Sequence, residues 1–218
     1  VPPLSGSTLA LSGASLRGRI KEPVTIEFLP GQFVAIKGPS GAGKSTLIKM
    51  LNNSPGSRDA GEVSIDQLDG DRDWEKFRQK LGNVNQDDHV LHYDLTAEEA
   101  VWFAAGLRGR KVSLNDAREL LSRLGLKNDH HKKLIEKLSG GQRKRVQIAT
   151  ALIANAGVLL LDEPASGLDP EMEHRLVRLL RTLSNQGCTV VMITHGLSDE
   201  SLVDRVLRVE NGKLAKQE

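Results

Sequence analysis

The chain has 218 residues, a formal net charge of +2, 39% hydrophobic residues and 27% charged ones. This describes one soluble globular domain with a substantial core, excludes a disordered chain, and offers no electrostatic argument for nucleic acid. No apolar run approaches the roughly 20 residues that cross a bilayer, so any membrane role must come from a partner or from a segment outside this stretch.

The lone cysteine, Cys188, rules out a disulfide framework and points to a reducing compartment. Within Cys188-Thr189-Val190-Val191-Met192-Ile193 it reads as a buried structural thiol. The start at Val1-Pro2-Pro3, without Met, suggests a fragment of a longer protein, although processing would also explain it.

Val1 to Ser7 reads as a loose linker rich in Pro, Ser and Gly. Thr8 to Leu11 and Val24 to Phe28 predict short strands separated by the basic turn Arg17-Gly18-Arg19, and Pro30-Gly31 a further turn. Phe33-Val34-Ala35-Ile36 is a buried strand, and Leu47 to Leu51 continues as a helix. Glu62 to Ile65 alternates like a strand, Trp74 to Lys80 reads as a short helix, and Leu81 to Asn85 as a strand. Ala97 to Leu107, Leu114 to Leu124 and Gly141 to Ala154 all show helical spacing, so a mainly helical lobe is expected at about 87–154. A strand (Val158 to Asp162), a helix (Pro170 to Asn185), a strand (Thr189 to Thr194), a short helix and a terminal strand (Arg205 to Val209) complete the pattern. The expected architecture is α/β, with a mainly parallel sheet, a small antiparallel N-terminal β part and an inserted helical subdomain. One domain spans 1–218, its core formed by about 1–86 and 155–218.

Between the first buried strand and its helix lies Gly38-Pro39-Ser40-Gly41-Ala42-Gly43-Lys44-Ser45-Thr46, which matches the P-loop pattern in its strand–loop–helix context. Its glycines let backbone N–H groups curl around a polyphosphate at a helix N-terminus. Lys44 is placed to reach the β- and γ-phosphates, and Ser45 to help hold Mg²⁺. The run Gly157 to Leu161 ends in Asp162-Glu163-Pro164. At such a strand end the first acid supports Mg²⁺, and the second faces the γ-phosphate and activates water. Between these motifs, Leu138-Ser139-Gly140-Gly141-Gln142 opens a helix and forms a second anion-receptive N-terminus. One chain with one P-loop has little use for two cradles in its own site, so the second serves a partner's nucleotide.

With these residues in order, the chain resembles the ATP-binding-cassette (ABC) ATPase domains. Leu138 to Gln142 matches that superfamily's signature, Gly38 to Ser45 its Walker A motif and Val158 to Asp162 its Walker B motif. Gln86 matches the Q-loop glutamine, Ser166-Gly167-Leu168-Asp169 the D-loop, and His195 the switch histidine. The resemblance implies a head-to-tail dimer that hydrolyses ATP with Mg²⁺ and drives a membrane domain. In each composite site it implies that Lys44, Ser45, Asp162, Glu163, Gln86 and His195 come from one chain. Ser139, Gly140, Gly141, Gln142 and Asp169 come from the other, and Ser45, Gln86 and Asp162 surround the metal. It further implies a place on the cytoplasmic face of a membrane, with the transmembrane partner in the same polypeptide. No nucleic-acid partner and no insertion of this segment into the bilayer are expected.

One departure stands out. The family usually places an aromatic residue before Walker A to stack on adenine, yet no Phe, Tyr or Trp precedes Phe28. By position Leu16 or Arg17 falls there: Arg17 would lie over the base as a flat cation, or Leu16 would provide apolar contact, and neither is as good a stacking platform. Asn85 to His92, with Leu95 to Ala100, is similar to G-type exporters and to bacterial cassettes fused to forkhead-associated domains. The alternatives are a soluble ABC ATPase acting on nucleic acid or ribosomes, and a regulatory clamp that binds ATP without hydrolysis. His130-His131-Lys132-Lys133 reads as a solvated loop and Arg143-Lys144-Arg145 as a solvated helix face, Arg143 or Lys144 lying near the dimer seam. Arg108, Arg110 and Lys111 read as surface.

Overall fold

The computed structural model describes residues 6–86, 91–197 and 199–215. Strands β1 (Leu9–Leu16) and β2 (Ile20–Phe28) form an antiparallel hairpin around the turn at Gly18. Both run further than their hydrophobic alternation predicts, because register shifts between Leu11 and Ala14 and between Ala14 and Leu16 break the two-residue period. Strand β3 (Phe33–Lys37) leads into α1 (Lys44–Leu51). Then come β4 (Ala60–Ile65), the two-residue β5 (Leu68–Asp69), α2 (Trp74–Gln79) and β6 (Leu81–Val84). A mainly helical stretch follows: α3 (Ala97–Leu107), α4 (Leu114–Arg123), the short α5 (Asn128–His131) and α6 (Gly140–Leu152). Strand β7 (Val158–Asp162), α7 (Pro170–Asn185), β8 (Thr189–Ile193), β9 (Arg205–Glu210) and β10 (Lys213–Ala215) complete the described chain.

Two sheets result. The antiparallel one runs β2-β1-β4-β5; the other runs β10-β9-β3-β8-β7-β6 and is parallel except at its β10–β9 edge. Every residue of β3 and β8 is buried, as expected of central parallel strands covered on both faces. The helices begin where local chemistry starts them. Thr96 with Glu99, Ser113 with Asp116 and Ser139 with Gln142 form reciprocal capping boxes, each satisfying two otherwise orphaned N–H groups.

The hydrophobic core continues from helices into sheet. One cluster joins Val101, Leu120 and Val146 of the helical part to Leu161 and Val190 of the sheet. A second packs α1 between the two sheets through Leu47 and Met50, with Leu9, Phe28 and Val63.

Four expectations are corrected by burial. Ser7 is no part of a loose linker: it is 2% exposed, its carbonyl accepts from Thr189 Oγ1 at 2.7 Å, and its N–H donates to Gly157. His130 and His131 sit in helix α5, and His131 is buried with Nε2 2.9 Å from Leu126 O. Lys144 is buried, not solvated. Arg108 is half-buried and donates to Ala151 O at 2.8 Å, and desolvation draws its pKa down. The stretch Asp87 to Val90, part of the likeness to G-type exporters, lies outside the described residues.

Candidate functional site

Register decides where the motifs meet. Ile36 of β3 pairs with Ile193 of β8, which pairs with Asp162 of β7, so the carboxyl ends of three adjacent strands are level. Val84 of β6 pairs with Leu161 next to them, bringing Gln86 to the same edge. Open α/β sheets bind ligands outside the carboxyl ends of their strands, and the P-loop, Glu163, His195 and Gln86 all leave from that edge.

The P-loop needs its glycines for separate reasons. A Cβ on Gly38 would lie 2.2 Å from Val209 O, and Gly43, the residue before α1, has φ +108°. Lys44 is buried and its Nζ donates to Gly38 O (2.8 Å) and Pro39 O (3.0 Å), so the ammonium is folded over its own loop. Helix α1 has no acidic residue in its first turn and no side-chain cap, leaving its N-terminal dipole to an external anion. Ser40, Gly41, Gly43, Lys44, Ser45 and Thr46 line a cleft of about 370 Å³, with Glu163 and His195 on its far wall.

The carboxylates differ. Burial raises the pKa of Asp162, and the Glu163 charge adds to it, opposed by Lys44, Lys49 and a hydrogen bond with Ser45. Glu163 has φ +46°, left-handed and unusual for a residue with a side chain, while its N–H donates to Ile193 O at 3.1 Å. This bend separates two adjacent acids: Asp162 hydrogen-bonds Ser45, and Glu163 Oε1 meets His195 Nε2 at 2.8 Å. Gln86 Nε2 donates weakly to Ser166 Oγ at 3.4 Å. The set can hold a polyphosphate and a divalent cation beside a carboxylate that, with one oxygen on His195, has a second oxygen to accept a proton from water.

Residues Ser139 and Gly140 do not line this cleft; they are exposed at the start of α6. Ser139 N donates to Gln142 Oε1 (2.9 Å) and Gln142 N to Ser139 Oγ (3.3 Å). Gly141 is buried beside Met172, against which a Cβ would press. Asp169 is exposed and caps α7, its Oδ1 accepting from Met172 N at 2.9 Å.

A match to the family model for ABC transporters covers residues 22–166, more than half of the chain. The chain belongs to the ABC transporter family. This cassette is 35% identical over 214 residues to the ATP-binding/permease protein Rv1747 of Mycobacterium tuberculosis, covering 96% of the cassette but 23% of that protein. It is 36% identical over 201 residues to the glutamine transport ATP-binding protein GlnQ of Escherichia coli, covering 88% of the cassette and 82% of GlnQ. Against the macrolide export ATP-binding/permease protein MacB of Pectobacterium atrosepticum the identity is 35%, over 97% of the cassette and 33% of MacB. The cassette thus spans a minor part of the two ATP-binding/permease relatives. Among solved structures, the dimeric MJ0796 cassette of a bacterial ABC transporter superposes with a TM-score of 0.80 at 29% identity, covering 96% of this chain and 97% of that one. A further MJ0796 structure is a dimeric post-hydrolysis state bound to ADP and Pi, with TM-score 0.79. The cassette is an ATP-binding ATPase domain with the P-loop NTPase fold.

The cleft also contains residues that motif matching misses. Gly18 and Arg19 of the β1–β2 turn line it, whereas Arg17, although exposed on that turn, does not; its N–H donates to Asp59 Oδ2 at 2.7 Å. Asn211 and Gly212 line it too. Both have positive φ in the β9–β10 hairpin turn, and Gly212 N donates to Ala42 O at 3.0 Å, bracing the P-loop. Asn-Gly between apolar strands is a readable hairpin signal, but its place beside the P-loop depends on sheet order.

Proposed function

We propose that two copies of this cassette close head to tail around two Mg²⁺-ATP molecules, and that hydrolysis powers transport through a membrane domain. One observation carries the reading. The P-loop cleft holds Lys44, Ser45, Glu163 and His195 but no residue of Leu138 to Gln142, whose helix N-terminus is exposed and capped by Ser139. An exposed anion-receptive terminus, in a chain whose own phosphate cleft is elsewhere, supports its use on a second copy's nucleotide. Ser139, Gly140, Gly141, Gln142 and Asp169 then act in trans. The dimeric relative MJ0796 agrees with this reading.

In the proposed site, Gly38 to Thr46 cradle the phosphates through main-chain N–H groups, and Lys44 moves from its own carbonyls to the β- and γ-phosphates. Ser45, Asp162 and Gln86 offer hard oxygen donors suited to Mg²⁺; the strained charge on half-buried Asp162 is one that a divalent cation would relieve. Mg²⁺, when bound, supplies charge neutralisation at the phosphate oxygens. Glu163 accepts the proton of the attacking water. His195, 2.8 Å away, orients that carboxylate and faces the γ-phosphate. The base packs on the β1–β2 turn, with Arg19 as a flat cation in place of an aromatic ring.

For coupling, α3 presents Trp102, Phe103 and Leu107 at 48%, 39% and 72% exposure, with His92 edge-on to Phe103 at 5.4 Å. A cluster of large apolar side chains on the helical part fits a membrane-domain partner. The ATP-binding/permease relatives carry both functions in one protein, and MacB exports macrolides; these support a fused exporter on the cytoplasmic face. GlnQ serves glutamine transport, so transport is the function these relatives share.

Phosphate release from ATP with Mg²⁺ or with excess EDTA tests the reading. Turnover is expected with Mg²⁺, lost in EDTA, and reduced by about 10²–10⁴-fold in Glu163→Gln. Equal turnover of Glu163→Gln and parent would contradict it.

A further inference from the structure

We infer that His130, outside every motif, is a positioning residue for the signature: as a neutral ring it accepts the Gln142 amide and fixes the capping box that starts α6, and as an imidazolium it releases it. The effect on a partner's site rests on the head-to-tail reading above; the hydrogen-bond chain within one copy does not.

The three capping boxes differ in what holds them. At Thr96 and Ser113 the third helical residue is a carboxylate, and one oxygen accepts from both the backbone N–H and the hydroxyl of the cap. Glu99 Oε2 does so at 2.9 and 2.7 Å, and Asp116 Oδ2 at 2.7 Å from each. Such charge-assisted bonds are about twice as strong as neutral ones. At the signature the third residue is Gln142, whose neutral Oε1 accepts from Ser139 N at 2.9 Å. Folding a glutamine back on its own helix costs rotamer entropy comparable with what one neutral hydrogen bond returns. A carboxylate there would set negative charge on a terminus offered to a phosphate, so the neutral side chain needs another hold.

His130 supplies it. The Ser139 N–H is a donor, so the amide oxygen faces it and the amide NH₂ points to His130 Nε2, 3.1 Å away. Accepting there requires a lone pair on Nε2 and places the ring proton on Nδ1, which lies 3.1 Å from Asp129 Oδ1. Glu98 of α3 and Arg118 of α4 pair with each other and share a cleft with His131 and Lys132. Arg143 of α6 donates to Leu138 O, while Asp129 carries the charge beside the His130 ring. A proton on Nε2 would set two donors against each other. Turning the amide over relieves that clash only by setting its NH₂ against the Ser139 N–H. The box then opens, and the first turn of α6, Ser139 and Gly140 included, loses its fixed start.

The test is read first on the monomer, as the protection of the Ser139 N–H against hydrogen exchange by NMR. His130→Phe keeps a ring and removes the acceptor; His130→Gln puts an amide oxygen where Nε2 stood, and His130→Ala serves should the Phe chain pack poorly. At about pH 8, protection is expected to fall about three- to tenfold in His130→Phe and to return in His130→Gln. At about pH 5.5 the parent is expected to fall to the His130→Phe value while His130→Gln holds its own. Equal protection in the parent and His130→Phe at the higher pH, or one shared pH profile for the parent and His130→Gln, would overturn the inference. In the Glu163→Gln background, adding His130→Phe is expected to weaken the ATP-dependent dimer about three- to tenfold, with a fluorescent ATP analogue bound by the monomer as before. An unweakened dimer would overturn the effect on the partner's site. A Glu163→Gln chain that never dimerises would sink the head-to-tail reading instead, and Ser139 protection would still decide the role of His130.

Discussion

His195 Nε2 lies 2.8 Å from Glu163 Oε1, across the gap between the ends of β8 and β7. The contact exists because Glu163 adopts φ +46°, turning its side chain away from the direction taken by Asp162. Neighbouring acids on an extended strand alternate faces in any case; the left-handed bend additionally brings the second acid under the histidine. Side-chain exposure is 56% for His195 and 18% for Glu163, so the histidine can swing while the carboxylate is held.

That asymmetry predicts how the pair responds to mutation. His195→Ala should lower kcat by about 10²-fold with KM for ATP changed far less, because in the proposed site His195 would orient the carboxylate and would not hold the P-loop phosphates. A steady-state titration with ATP separates the two parameters. A raised KM with unchanged kcat would assign His195 to ground-state binding.

Lys44 presents the opposite expectation. Its ammonium is already inside the loop, donating to Gly38 O and Pro39 O, and in the proposed site would exchange these for phosphate oxygens. Lys44→Met should weaken ATP binding by about 10–100-fold, the loss of a charge-assisted contact, and affect adenosine binding little. Calorimetric titration with ATP and adenosine makes the comparison.

Asp162 trades stability for function. Burial, then the Glu163 charge, raises its pKa, so the ionised form is the costly one in the folded chain. A carboxyl group with a raised folded-state pKa favours folding at low pH and loses that contribution as pH rises through the folded value. The penalty grows as pH rises through that value. Asp162→Asn should therefore raise Tm by about 1–3 °C in nucleotide-free buffer at pH 7, lose that advantage at pH 4, and abolish turnover. Thermal melts at the two pH values test the sign.

Cys188 should be chemically silent. It is fully buried, and desolvation pushes its thiol up to about 12, so almost no thiolate exists at neutral pH. Ellman's reagent should titrate no thiol in the native chain and one after denaturation in guanidinium. Rapid native labelling would contradict its placement between α7 and β8.

Legibility in the sequence followed how local the cause of each feature was. Strand β7 and helix α7 were readable to the residue, since an apolar run ending in acids and an Asp-Pro helix start are local signals. The P-loop, Asp162, Glu163 and the capped signature were readable for the same reason. The extent of β1 and β2 was not, because bulges hide their alternation, and the short β5 and β10 offer no period. Lys144, Ser7 and Arg108 are polar residues whose burial depends on partners far along the chain: the Asn85 and Ala151 carbonyls accept from Lys144 and Arg108, and Thr189 Oγ1 donates to Ser7 O, while His131 is buried against the nearer Leu126 carbonyl. Arg19 lines the cleft where Arg17 was expected for a related reason: the turn at Gly18 decides which of the two residues meets the P-loop.

The central claim is that the P-loop of one copy and the signature of another make one site. Light-scattering mass of Glu163→Gln, measured without nucleotide, with ATP lacking Mg²⁺ and with Mg²⁺-ATP, tests it directly. The account predicts a doubling of mass only with ATP, abolished by adding Ser139→Arg at the exposed helix start. A chain that binds ATP yet keeps monomer mass in every condition, or a dimer indifferent to Ser139→Arg, would contradict it.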